Sequence, residues 1–338
     1  MRSLLTILLL FLSATITARA TTWDEPWHED VLKNADSFVK VKVFENQGAR
    51  ARVDVIKLIA GTQTPHQIEL TGFSMLRLTS TSSGDHGPEL LLKPGQVYYL
   101  LIKRDEKTNA YQISTPTSGW AKVVDGDVYA TYRHTFHQAI VPEDVYEKTM
   151  QAIFNSIKGK PYDTAYVSAF LREQLTQNVA SWKGENDPGL RKRFFLQHAA
   201  LETFYHLRNG TDLSQLIPFM GNDTYHVQIS ACRATSRINS TKAKELLMKF
   251  IESRGEGFAK VMCVWGLERQ NAREMIPRLE AFLTTGTDQE TGFGGDIMDP
   301  RIGTRFPDSV KGSIRHLLGE WGRPPTTRSM PSESTISG

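Results

Sequence analysis

The chain has only two cysteines, Cys232 and Cys263, among 338 residues. So few exclude a disulfide-dense scaffold and any zinc site built from repeated cysteine pairs. An excess of charge of one sign is also missing, since 40 Lys and Arg stand against 37 Asp and Glu. A surface made for a polyanion such as nucleic acid needs a basic patch or stripe, which this balance does not suggest. The motifs H-E-x-x-H, G-x-S-x-G and C-x-x-C do not occur, so the commonest signatures of zinc hydrolases, serine hydrolases and dithiol enzymes are lacking. Gly292-Phe293-Gly294-Gly295 is no phosphate loop, because no Lys-Ser/Thr follows it and no strand precedes it. These gaps point away from an enzyme, and neither a cofactor nor a metal is expected.

Long apolar runs are scarce as well. The strongest, Leu4 to Leu12, follows Arg2 and leads to Ala18-Arg19-Ala20. A charged start, a short apolar core and small residues spaced A-x-A form a secretory signal peptide over residues 1–20, with cleavage after Ala20. A membrane anchor would need ~20 apolar residues, more than this run offers. Cleavage removes Arg2 and Arg19 and no acid, so the formal charge falls from +3 to +1. The expected location is secreted or periplasmic, with no membrane span after cleavage. Residues 322–338, with Pro324-Pro325 and many Ser and Thr, are expected to be disordered.

What is present falls into two patterns. Over residues 21–141 apolar and polar positions alternate with period two. Phe38 to Phe44 and Ala51 to Leu58 read as a hairpin turned at Gln47-Gly48. Further strands are expected at His66 to Thr71, Ser74 to Leu78, Gln96 to Lys103 and Ala110 to Ser114. A last hairpin joins Trp120–Val124 to Val128–Tyr132 through Asp125-Gly126-Asp127, a strong turn signal. Several short antiparallel strands in about 100 residues imply a barrel or sandwich. The runs Ala35-Asp36-Ser37-Phe38-Val39, Ala51-Arg52-Val53-Asp54-Val55-Ile56-Lys57 and Leu92-Lys93-Pro94-Gly95-Gln96-Val97-Tyr98-Tyr99-Leu100-Leu101 carry a resemblance. They resemble the OB-like barrel of the tissue inhibitor of metalloproteinases and netrin-module superfamily, in the form seen in bacterial exported proteins. Inhibitors of that family chelate zinc through an N-terminal cysteine. This chain has Thr21-Thr22-Trp23 at the expected mature terminus and no cysteine in the region, so the resemblance implies the barrel and not the inhibitory wedge.

Over residues 142–321 the period changes to 3.6, and a helix-turn-helix rhythm of about 31 residues emerges, the mark of stacked helical pairs. Arg193 to Leu201 aligns with Tyr225 to Cys232 and with Gly255 to Cys263. Second helices lie at Leu213 to Met220, Ala243 to Ile251 and Ala272 to Leu283, and Ser309 to Trp321 closes the series. Small residues at Ala200, Ala231 and Gly266, with Pro218 and Pro277 in second helices, resemble HEAT-like repeats; an irregular all-α bundle is the alternative. The expected fold class is therefore α+β with two domains, an N-terminal OB-like antiparallel β-barrel and a C-terminal α-α HEAT-like solenoid. Cys232 and Cys263 sit one repeat apart. Matching helices lie about 8–10 Å apart, beyond the ~4.4–6.8 Å Cα separation of a disulfide, so two buried free thiols are expected.

Candidate chemistry is sparse. The stretch 284–305 breaks the repeat, and long structureless loops are usually functional or disordered. Phe293, Asp296, Ile297 and Met298 within it form the candidate partner-binding loop. His134 and His137 make H-x-x-H at a strand end, where residues three apart face opposite ways and cannot share a metal. His198 reads as a core histidine, the run Arg191-Lys192-Arg193 as a solvated helix start, and Trp23 and Trp27 as anchors of the N-terminal segment, which carries His28, to the barrel. The functional expectation is a non-enzymatic exported binding or scaffold protein that engages a protein partner through the helical surface and the barrel. The alternative is an inhibitor or regulator of an extracytoplasmic hydrolase acting through barrel loops.

Overall fold

The computed structural model describes residues 23–24, 27–71, 92–114, 119–133, 138–182, 186–291, 297–298 and 309–322. Strand β1 (Trp23–Asp24) and helix α1 (His28–Asn34) precede strands β2 (Ser37–Asn46), β3 (Arg50–Gly61), β4 (Gln67–Thr71), β5 (Val97–Arg104), β6 (Tyr111–Ile113), β7 (Trp120–Val124), β8 (Asp127–Thr131) and β9 (Gln138–Pro142). Strands β2 to β6 close into a five-stranded barrel in the order β2-β3-β4-β6-β5, with β5 pairing back onto β2. Every pairing in it is antiparallel except β4 with β6. From β5 the sheet runs on as a meander through β7 and β8 to β9, whose outer edge pairs with no strand among the described residues.

The alternation read from the sequence sorts side chains into two cores. Val39, Val41, Val43, Val53, Leu70, Tyr98, Leu100 and Ile102 fill the barrel. Their neighbours Phe38, Tyr99 and Leu101 point the other way, into a second core shared with the helices. Both faces of β5 are thus covered, which is why Tyr98 to Ile102 is an unbroken apolar run. The β2–β3 hairpin ends where Gly61 pairs with Ser37 at φ +97°; a Cβ there would lie 2.3 Å from the Asp36 carbonyl, so only glycine fits.

Beyond the sheet follow α2 (Glu143–Ile157), α3 (Thr164–Leu175), α4 (Pro188–Leu207), α5 (Leu213–Met220), α6 (Tyr225–Thr235), α7 (Thr241–Glu252), α8 (Gly257–Arg269), α9 (Ile276–Thr285), strand β10 (Ile297–Met298) and α10 (Val310–Glu320). The starts are chemically marked: the side chains of Asp163, Asp187, Asp212, Ser240, Glu256 and Ser309 each accept a backbone N–H of the first turn. Helices α4, α6, α8 and α10 pack in succession, with α5 on α6, α7 on α8 and α9 on α10. Helices α4, α6 and α8 of this inner layer are buried around most of their circumference, α8 mainly by apolar residues and α4 and α6 by a mixture of apolar and polar ones. At Gly266 a Cβ would come within 2.8 Å of the Ser236 Cβ, so α8 approaches its neighbours closely there.

One apolar core runs from α1 through the outer face of the barrel to α10. Helix α2 is fixed to the barrel by polar contacts too. The Tyr99 hydroxyl donates to Glu143 at 2.7 Å, Lys40 and Lys57 pair with Glu143 and Glu147, and Gln151 Nε2 donates to the Ile59 carbonyl at 2.7 Å. Trp27 departs from expectation. It seats on α8 of the helical half, with Phe258 stacked at 6.0 Å and Trp265 edge-on at 5.6 Å, rather than on the barrel. The reason is that α8 offers an aromatic slot while the barrel face beside α1 is already filled by Phe38 and Tyr99. Cys232 and Cys263 are buried free thiols, and burial pushes the Cys263 thiol well above its ordinary value. No described helix is long and apolar enough to cross a membrane. The signal segment 1–20, the strand expected at Ser74 to Leu78, the tail from 323, and His134 and His137 lie outside the described residues.

Candidate functional site

Two features stand where the halves meet. The first is a buried polar cluster assembled from α1, the end of β8, α4 and α6. Spacing by four places His198 and Glu202 on one face of α4, and spacing by four and three places His226, Ser230 and Arg233 on one face of α6. Ser230 Oγ donates to Glu202 Oε1 at 2.6 Å, accepts from Arg133 Nη1 at 2.9 Å and lies 3.1 Å from His198 Nδ1. Arg233 Nε donates to Glu202 Oε2 at 3.0 Å and its Nη2 reaches Glu29 Oε2 at 3.4 Å. Tyr205 also donates to Glu29, and Arg269 Nη2 donates to the Tyr205 hydroxyl at 2.8 Å. The Arg233 guanidinium lies between two rings, 3.8 Å from the Tyr205 centroid and 4.7 Å from that of Trp27.

Glu29 and Glu202 stand against Arg133 and Arg233, and a third cation, Arg269, reaches the edge of the cluster at Tyr205. Burial opposes the charged form of Glu29, but Arg233 and His206 outweigh it and hold the carboxyl well below the usual range. Burial likewise works against Arg233, and Glu202, Tyr205 and Glu29 overcome it so that its affinity for the proton rises. Burial brings Arg133 down to about 10 against the pull of Glu202. The histidines go the other way. Burial and His206 push His28 down to about 3, burial and Arg133 push His226 down to about 3, and burial with Arg133 drives His198 well below its ordinary value. All are neutral at pH 7.

A serine hydroxyl near an imidazole is the arrangement of an activated nucleophile. Here the hydroxyl proton is committed to Glu202, and Ser230, His198 and Glu202 are all buried. Chemically the cluster can hold α1 between the halves. His198 therefore sits in the core as expected, though in polar company rather than apolar.

The second feature is open. A groove of about 510 Å³ lies between the β8–β9 hairpin and the start of α4, walled by Ile140, Pro142, Trp182, Phe195, Arg191 and Lys192. A hollow of about 450 Å³ continues it along α2 and α3, sharing Pro142 and Lys192 and adding Tyr166 and Phe170. Arg191 stacks on Trp182 at 5.9 Å. Neither Arg191 nor Lys192 pairs with an acid among the described residues. Asp187 in the groove wall is occupied in capping α4. Arg191 closes the first turn of α4 and Lys192 opens the second, and cations near that end are unfavourably placed because it already carries partial positive charge. The α4 wall therefore suits an acidic group arriving from outside, whereas Asp127 on the hairpin side of the groove carries the opposite charge.

No family model matches the chain, and no significant match is found among curated proteins or solved structures.

Of the loop residues singled out from the sequence, Phe293 and Asp296 lie outside the described residues. The backbone of Ile297 and Met298 forms β10, which pairs in parallel with Trp23 and Asp24 of β1. Sequence reasoning missed the charged cluster. Its signal was available in Glu202 and Arg233, charged residues flanked by small and apolar neighbours in Ala199-Ala200-Leu201 and Ala231-Cys232 and so obliged to be paired if buried. Arg191 and Lys192 were noticed as a helix start, and their groove was not, because its other wall comes from a hairpin some 50 residues earlier. Among the described residues no group of three or more His, Cys, Asp and Glu could hold a metal ion.

Proposed function

We propose that this is an exported, non-enzymatic binding protein that engages a polypeptide partner across the junction of an OB-like barrel and a HEAT-like helical stack. The observation that carries this reading is the junction groove, to which both halves contribute apolar walls and in which Arg191 and Lys192 pair with no acid among the described residues. Aromatic anchors flanked by unpaired charge are the composition of a recognition surface. The barrel's strand order, closed by a parallel pair, supports the OB-like part. The succession of α4, α6, α8 and α10 supports the repeat part.

The test is site-specific photocrosslinking in cells, with the reactive group at position 182 or at Phe44, which is 56 % exposed on the barrel. A partner crosslinked from 182 and not from 44 is the expected result. Crosslinks from 44 alone would move the binding surface to the barrel and favour the regulator reading. That second reading draws on Phe44 and Ile56, both apolar and more than half exposed.

A further inference from the structure

We infer that the junction groove recognises its partner by strand addition, taking a short, extended, acidic segment alongside β9. This rests on the proposed binding function and specifies how the same groove would work.

The argument starts from the ladder. The Glu143 N–H donates to the Gly126 carbonyl at 2.9 Å, and in the register of this hairpin those two residues stand opposite each other. Hydrogen-bonded and non-hydrogen-bonded pairs alternate along an antiparallel ladder. Val141 and Ala139 therefore exchange their hydrogen bonds with Val128 and Ala130, while the N–H and C=O of Ile140 and the C=O of Pro142 point outward. The outward groups of Ile140 hydrogen-bond to no described residue, and Ile140 and Pro142 are the two β9 residues that wall the groove. Pro142 contributes no donor, so the edge can pair with only a few residues. An edge of this kind is a template for another strand.

The walls define what that strand carries. Trp182 and Phe195 accept an apolar side chain; on the α4 wall Arg191 and Lys192 pair with no acid among the described residues, while Asp127 lines the hairpin side of the same groove and Asp187 caps α4. Charge complementarity thus makes acidic the residue that lies beside Arg191 and Lys192, on the side of the groove away from Asp127. A basic segment would add its charge to these two and to the positive end of α4.

The experiment uses the full chain and an arrayed library of octapeptides alternating apolar and charged residues, made in acidic and basic versions. Acidic peptides are expected to bind and basic ones not. N-methylation at alternate positions, which removes ladder donors, is expected to weaken the best acidic peptide at least tenfold. So is Ile140→Pro, which deletes the outward N–H and leaves the pairing with β8 intact, provided its thermal unfolding matches wild type. The double reversal R191E/K192E, at exposed positions, serves if Ile140→Pro unfolds, and is expected to exchange the preference from acidic to basic peptides. Binding unaffected by N-methylation, or a preference for basic peptides, overturns the inference. A dimer by sedimentation that Ile140→Pro dissolves also overturns it, since the occupant would then be a second copy of this chain. If no peptide binds but crosslinks from position 182 persist, strand addition is lost and the binding function stands; if crosslinks come only from position 44, the binding reading falls as well.

Discussion

Glu29 and Arg233 stand 204 residues apart in the chain and 3.4 Å apart in space. Arg233 in turn holds Glu202 at 3.0 Å, so one guanidinium joins α1 to α4 and α6. The two halves are therefore connected by charge as well as by apolar contact, and the expectations below follow from the difference between those two kinds of join.

Removing one member of the charged set leaves the others buried and uncompensated. Breaking a buried pair in this way costs about 3–5 kcal/mol, whereas replacing both partners by apolar residues can be near neutral. Glu202→Gln and Arg233→Met are each expected to destabilise by that order, and the double variant by less than their sum. Urea unfolding of the four proteins in a double-mutant cycle measures the difference.

Acid should loosen the same region. The unfolded chain protonates His28 near its ordinary value of 6.5, while the folded chain resists down to about 3. Between those values the unfolded state binds more protons, so stability falls as pH drops, by about 1.4 kcal/mol per pH unit for one such group. From pH 7 to pH 5 His28 alone accounts for about 2 kcal/mol by that rule, and His226 acts in the same direction. Glu29, whose affinity is depressed, adds a further loss below its unfolded range. Unfolding free energies at pH 7, 6 and 5 should show this slope, and His28→Gln should flatten it.

Trp27 tests the apolar join. Its ring is buried against Phe258, Trp265 and the Arg233 guanidinium. Trp27→Ala is expected to cost about 3–5 kcal/mol, the range for large aromatic truncations in a core. Limited proteolysis should then cut first near α1, with the barrel and the helices still protected.

Gly266 tests the helix spacing. An added methyl meets Ser236 Cβ at 2.8 Å and a Leu247 methyl at 3.0 Å, and neither is the end of a long flexible chain. Gly266→Ala gains helix propensity but overpacks the contact, for a net loss of about 1–3 kcal/mol. Thermal unfolding decides the sign; an increase in melting temperature would show that the contact relaxes.

Much of the fold was legible because period two and period 3.6 are local properties. Phe38 to Phe44 alternates, and β2 follows; Arg193 to Leu201 repeats at Tyr225 and Gly255, and α4, α6 and α8 follow. The short helix α1 was missed because seven residues give less than two full turns of pattern. Strand β9 was missed because Gln138 to Pro142 reads like a loop until β8 is beside it. The charged cluster and the groove were illegible for a different reason. Each is made by residues more than 25 positions apart, and nothing in the spacing of Glu29, Arg133, Glu202 and Arg233 says that they meet.

The seat of Trp27 has a consequence for the order in which the molecule can be assembled. The residues that form it, Phe258 and Trp265, follow it by more than 230 positions. A chain threaded out from its N-terminus therefore carries Trp27 and Glu29 unsheltered through the appearance of the barrel and most of the helices. Only when α8 has emerged does Trp27 have its seat, so its docking reports that the stack has been built as far as α8.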